Sequence, residues 1–198
     1  HVRASLWIVF GGWLVGGLVG VPLGIAMAWW KRLRWIVFPV FLTLRPIPPL
    51  AWIPLAIIWL GIGDSARIYV VFLSAVVPWV INSMAAVESV DPLLIRAATA
   101  LGAPSRVVLI RVVLRTALPT FIAAARIALG NAWTTLVAAE LLAASVGLGF
   151  VALTASRGLD TGRLLVAMFV IGALGALFSI ALQWTAKKVA PWMQEGNS

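Results

Sequence analysis

Residues 5–34 read SLWIVFGGWLVGGLVGVPLGIAMAWWKRLR, an uncharged apolar run that ends abruptly in three cations within four positions. About 20 mostly apolar residues cross the roughly 30 Å hydrocarbon core of a bilayer as a helix. Lys31, Arg32 and Arg34 cannot remain in hydrocarbon without a large cost, so they mark the end of the crossing. The run is a membrane span. Within it Gly12, Gly16, Gly20 and Gly24 recur every fourth residue, which places them on one helical face where a second backbone can approach closely. That face is expected to be a packing seam.

The rest of the chain has the same character. Of its 198 residues 63% are hydrophobic and 11% charged, with mean hydropathy +1.07, far from the roughly half-apolar, quarter-charged balance of a soluble domain. Five or six crossings fit this length at about 20 residues each, and no separate soluble domain does. The fold class is therefore all-α, a polytopic transmembrane helix bundle forming a single domain over residues 1–198. No cysteine is present, which excludes disulfides, thiolate metal sites and thiol nucleophiles. The formal charge of +9 would point to nucleic acid in a soluble protein. Here it is read as the Lys and Arg excess of cytoplasmic loops, and no nucleic-acid partner is expected.

Four further runs follow. Residues 35–62 are apolar but interrupted by Pro46, Pro48, Pro49 and Pro54; residues 68–87, 119–139 and 164–186 are the others. Between 88 and 118 the chain is amphipathic and carries Arg96, Arg106, Arg111 and Arg115, too many charges for a span, so this loop is placed at the cytoplasmic side. Alternating the five crossings puts Lys31, Arg32, Arg34, these four arginines, Lys187 and Lys188 inside, and Arg3, Arg67, Arg157 and Arg163 outside. The chain then starts outside and ends inside. Trp7, Trp29, Trp30, Trp59, Trp184 and Trp192 fall near predicted ends, where indole rings anchor at headgroup level. The opening at His1, almost directly in an apolar run, reads as a piece with earlier residues missing.

Several constellations bear on function. The prolines after Arg45 each lack an N–H and disfavour helix in the preceding residue, so regular helix cannot continue through residues 45–54. Irregular backbone at membrane depth must be buried in protein or face water. Two readings stand open: a broken helix beside a polar pathway, or a loop near the cytoplasmic surface. Asp91 and Pro92 form a helix start, with an N-cap acceptor followed by proline at the first helical position. The helix they open is expected to stop at Gly102, with a second short amphipathic helix beginning near Pro104. This bent pair either meets a partner or rests on anionic headgroups.

Arg126 and Glu140 lie within apolar runs, where an ionisable group is costly unless paired or wetted. Fourteen positions apart, about 21 Å along one helix, they cannot pair with each other. Either they bind substrate or each takes a structural ion-pair partner elsewhere. The chain lacks a G-x-x-x-x-G-K-[ST] phosphate loop and has one histidine, at its start, so ATP binding by that motif and H-E-x-x-H zinc chemistry are excluded. No catalytic or metal-binding residue is assigned, and an enzyme is not expected.

At the level of motifs the chain resembles the inner-membrane permease subunits of type I ATP-binding-cassette importers, in the nitrate, sulfonate and taurine group. Residues 45–63 (RPIPPLAWIPLAIIWLGIG) and 136–150 (LVAAELLAASVGLGF) are similar to that group's distinctive segments. Residues 96–102 (RAATALG) occupy the place of its EAA loop, where Ala97, Ala98 and Gly102 match and Arg96 replaces the acidic residue. Arg115 stands where the loop pattern puts proline, and Leu118–Pro119 follows slightly downstream.

The resemblance implies a homodimer in the bacterial inner membrane, a dimer of cytoplasmic ATPase subunits that carries ATP and Mg, and an extracytoplasmic binding protein. The chain itself would hold no cofactor. Residues Arg96, Ala97, Ala98 and Gly102 would couple to the ATPase, and Arg45, Arg126, Asn131, Thr134, Thr135 and Glu140 would border the substrate pathway. Family members usually have six spans, so the first is expected to be absent here. The implied cargo is taurine or another alkyl sulfonate, with nitrate, bicarbonate or another small solute as alternatives. From another class, an ion-gradient carrier would also use a broken helix, but it needs intramembrane carboxylates.

Overall fold

A computed structural model describes residues 1–189. Helix α1 (Val2–Trp29) and α2 (Lys31–Leu44) are followed by a 3₁₀ turn (Pro49–Trp52), α3 (Ile53–Leu60), α4 (Asp64–Glu88) and the short α5 (Pro92–Ala100). Then come one turn, α6 (Ser105–Val107), a π-helical stretch (Val108–Val113), α7 (Leu114–Ala143), α8 (Leu148–Arg157) and α9 (Thr161–Val189). Among the described residues four helices are long and apolar enough to cross a membrane, with a fifth if the bent pair of α2 and the Pro49–Leu60 segment is one span. Trp192 lies outside the described residues.

The centre of the bundle is α1, α4 and α7. Association between helices in lipid rests on close van der Waals packing, and here the glycine ladder sets how close. A Cβ on Gly12 would lie 2.6 Å from a Val71 methyl, on Gly16 2.9 Å from the Ala75 Cβ, on Gly20 2.6 Å from the Trp79 Cβ, and on Gly24 2.5 Å from the Val80 carbonyl oxygen. The seam therefore runs from Gly12 to Gly24 of α1 against α4. Ile8, Val9, Val71, Ala75, Ala124, Ala128 and Leu136 fill the space behind it. The Trp13 indole N–H donates to the Ala125 carbonyl at 3.0 Å, tying α1 to α7.

On the other side of α4, Leu33, Val37, Phe38 and Phe41 of α2 pack on Met27, Val80 and Met84. Leu50, Ile53 and Ile57 pack on Ala66 and Val70, closer to the start of α4. The chain thus climbs α2 from the cationic end, bends by 86° at the prolines and continues toward the start of α4. Trp7, Trp30, Trp59 and Trp184 are exposed, as belt residues are, whereas Trp13, Trp79 and Trp133 belong to the core.

One sequence expectation changes. The stretch from Pro104 to 118 is not a second separate amphipathic helix. A single helix runs from Ser105 to Leu142, 38 residues or about 57 Å, well beyond the hydrocarbon thickness. Its first turns carry Arg106, Arg111 and Arg115 out of the bilayer, all of them exposed. The charges that argued against a span belong to its projecting end. Between the fourth and fifth crossings lies α8, packed on α7 and α9.

Candidate functional site

The prolines after Arg45 open a cavity. Helix α2 ends at Leu44, the chain turns, and α2 and the following segment meet at 86°. Beside the bend lies a cavity of about 680 Å³ lined by Arg45, Trp52, Tyr69, Ser74, Asn131 and Thr135, among others. Its size is that of a site for a small organic ligand.

Ser74 and Pro78 lie midway along α4, and Asn131 to Thr135 lie well inside α7, so the cavity sits within the membrane. Residues 45–48 form the break between α2 and the Pro49–Leu60 segment, a pair bent by 86° that together is apolar enough for one span. Polar groups concentrate there. The Thr135 hydroxyl donates to the Ser74 hydroxyl oxygen at 2.7 Å, and the Ser74 hydroxyl donates to the Asn131 carbonyl at 3.1 Å. Pro78, a further lining residue, has no N–H, so the Ser74 carbonyl four residues earlier lacks its helical partner. Arg45 is the one charged residue among those lining the cavity, and it forms no ion pair among the described residues.

The structure does not bring Arg126 or Glu140 to this cavity. On α7, Arg126 and Asn131 are five residues apart and point about 140° from each other at 3.6 residues per turn. Arg126 instead lines a smaller hollow between α7 and α9. Glu140 is fully buried at the other end of α7. Its carboxylate accepts from the Ser5 hydroxyl at 2.6 Å and from the Gly149 N–H at 2.8 Å, while the Leu148 N–H donates to Ser5 Oγ at 3.1 Å. The expected ion pair is thus replaced by a hydroxyl and the amino-terminal amides of α8, which suit an anion. The glycines of the 136–150 motif follow from that approach. A Cβ on Gly147, whose φ is +141°, would fall 2.3 Å from the Glu140 carboxyl carbon, and one on Gly149 would fall 2.7 Å from the Glu140 Cβ. Ser74, Tyr69 and Trp52 were not singled out by the sequence; the one available signal was Pro78, four residues after Ser74.

The second functional element is the loop between α4 and α7. The Asp91 carboxylate accepts from the Leu93 N–H at 2.8 Å and caps α5, with Pro92 at its first position. At the other end the Gly102 N–H donates to the Thr99 carbonyl at 2.9 Å and the Ala103 N–H to the Ala98 carbonyl at 3.1 Å. This is a Schellman closure, with Gly102 at φ +82° in the left-handed position it requires. Ile95 packs with Val87, Val90 and Val113, so the helix is anchored by one side to α4 and the π-helical stretch. The opposite side presents Leu93, Arg96 and Ala97 to the outside. The helix is thus closed at both ends by its own backbone chemistry, with Leu93 and Leu94 exposed.

With this geometry in place, comparison with known proteins is direct. The family described as "Binding-protein-dependent transport system inner membrane component" matches residues 20–195. The chain belongs to that family. Among curated relatives this inner membrane component is 40% identical over 195 residues to the taurine transport system permease protein TauC of Escherichia coli K12, covering 98% of this chain and 71% of that one. It is 29% identical to the nitrate import permease protein NrtB of Leptolyngbya laminosa, covering 96% and 68%. Its fold matches an inward-facing form of the MetNI methionine ABC transporter with TM-score 0.84, at 23% identity and covering 94% and 93% of the two chains. The inner membrane component is accordingly a multi-pass ABC importer permease of the taurine, sulfonate and nitrate group. It is not the ATPase.

Proposed function

We propose that this permease, as a homodimer, moves taurine or another small alkyl sulfonate inward by alternating access. An external binding protein delivers the solute, and two ATPase subunits, carrying ATP and Mg, drive the cycle. One observation carries the substrate side: a cavity at membrane depth whose lining has a single charge, the cation Arg45, among hydroxyl and amide groups. A sulfonate offers three acceptor oxygens to the Arg45 guanidinium and the Asn131 side-chain amide, the hydroxyl protons of Ser74, Thr134 and Thr135 being given to the Asn131 carbonyl, the Gly130 carbonyl and the Ser74 hydroxyl oxygen. Phe41, Trp52 and Tyr69 supply faces on which the ammonium end of a zwitterion can rest. Asn131, Thr134 and Thr135 complete the wall, while Arg126 and Glu140 stand apart from it.

On the driving side, closure of the ATPase pair pulls α5 through Arg96, Ala97, Ala98 and Gly102. The pull passes into α4 and α7 through the Ile95 anchor and rocks the bundle between inward-open and outward-open states. The solute shifts that equilibrium only by its differential affinity for the two states. The ion-gradient alternative lacks a cavity carboxylate, since Glu140 is committed to Ser5 and Gly149.

The test is reconstitution with the cognate ATPase and binding protein, scanning taurine, longer alkyl sulfonates, nitrate and bicarbonate for stimulated ATP hydrolysis and uptake. Stimulation by a sulfonate, lowered at least tenfold by Arg45→Ala and partly kept by Arg45→Lys, supports the reading. Stimulation by nitrate or bicarbonate alone overturns the substrate. Uptake that ignores ATP and collapses with the proton gradient overturns the mechanism.

A further inference from the structure

The hollow between α7 and α9 is separate from the transport cavity. It measures about 140 Å³ and is lined by Arg126, Gly130, Trp133, Gly175, Phe178 and Ser179, among others. We propose that it binds one anionic phospholipid of the cytoplasmic leaflet, with the lipid phosphate on Arg126 and its upper acyl region in the hollow.

The first support is an uncompensated charge. Arg126 lies within a membrane-spanning helix and is exposed, and an ionisable side chain at such a depth is expected to pair. Among the described residues it has no carboxylate partner, the ion pairs there being Arg34–Glu88 and Arg67–Asp64. Its guanidinium makes no hydrogen bond among the described residues either.

The second support is direction. Cα–Cβ bonds of a helix tilt toward its N-terminus, and the N-terminal end of α7 is the arginine-rich, cytoplasmic one. The Arg126 side chain therefore leans toward the headgroups, the way a long cation snorkels. Arg115 lies eleven positions earlier, about three turns and so within about 20° of the same face, and Arg111 lies one turn before that. All three are exposed. Together they make a cationic ladder from the membrane surface down to the hollow.

The third is shape and chemistry. A Cβ on Gly130 would meet nothing within 4 Å, so the notch beside Arg126 is open, and Trp133 and Phe178 provide apolar walls. Ser179 faces in from α9 as a second polar group. Leu177 and Ile180 of α9 are exposed close in sequence to the hollow's lining residues, an apolar surface along which an acyl chain continues. Basic pockets between transmembrane helices on the cytoplasmic side attract acidic headgroups, and that leaflet carries a negative surface potential. Charge complementarity thus favours a phospholipid anion over a protein segment.

This inference does not rest on the substrate assignment, and its test does not measure transport. The permease is placed in nanodiscs of phosphatidylcholine alone or of phosphatidylcholine with phosphatidylglycerol at about 3:1, and retained lipid is read by native mass spectrometry. Wild type and Arg126→Lys are expected to keep one phosphatidylglycerol per chain, Arg126→Gln to lose at least fivefold in occupancy, and Arg3→Gln to match wild type. Equal retention by Arg126→Gln and wild type overturns the proposal.

Because the chain contains no cysteine, Ser179→Cys serves as an independent reporter with Arg126 intact. Its maleimide labelling should be about tenfold slower in the phosphatidylglycerol discs than in phosphatidylcholine alone. Equal labelling in both discs, equal protection by inorganic phosphate, or crosslinking of this cysteine to another polypeptide segment would each defeat it.

Discussion

The Ser5 hydroxyl donates to the Glu140 carboxylate across 2.6 Å, joining the outer turn of α1 to the far end of α7. The other carboxylate oxygen holds the first turn of α8 through Gly149, so one buried side chain ties three helices. Ser5, Gly149 and Glu140 are all buried, so each of these donors depends on that carboxylate.

Removing it should strand the Ser5 and Gly149 donors, at about 1–3 kcal/mol for each unsatisfied group. Glu140→Ala is expected to lower the thermal unfolding temperature of the purified permease clearly, and Glu140→Gln, which still offers an oxygen, to lower it less. Identical melting of the two variants would contradict the network.

The glycine seam makes a sharper comparison. Gly24→Ala places a methyl 2.5 Å from a backbone carbonyl that cannot move aside, whereas Gly11→Ala meets only the flexible Ile68 side chain at 3.6 Å. The first should cost about 1–3 kcal/mol as overpacking, and the second should be near neutral. Detergent unfolding of the two variants side by side measures the difference.

Gly102 separates folding from coupling. Nothing lies within 4 Å of a Cβ there, so the cost of a side chain is the left-handed φ alone, about 1–2 kcal/mol. Gly102→Val should leave a folded permease in the membrane and abolish ATP-driven uptake by distorting the end of α5. Gly102→Asn, which tolerates that conformation, should retain more. Normal uptake by the valine variant would remove the coupling role of this loop.

At the cytoplasmic end Arg34 pairs with Glu88, linking the start of α2 to the end of α4, with both side chains about 40% exposed. An exposed pair contributes about 0–1 kcal/mol and is screened by salt. Glu88→Gln should therefore change the unfolding temperature little, and any change should vanish in high salt.

The one-dimensional chain already specified the elements whose cause is local. Four-residue spacing of Gly12 to Gly24 defines a helical face whatever packs on it. Asp91, Pro92 and Gly102 set both ends of α5 through their own backbone chemistry, and the cations after Trp30 end α1 because hydrocarbon rejects them. Density of charge misled at Arg106 to Arg115, since a helix can extend past the bilayer without ending. What required the folded bundle was every relation across distant positions. Ser5 finds Glu140 over 135 residues, Ser74 finds Asn131 and Thr135, and Arg126 turns away from Arg45's cavity toward α9. Those outcomes depend on which faces of α1, α4, α7 and α9 meet. Rotation of one helix against another is set by the summed close packing of many side chains, which no single motif encodes.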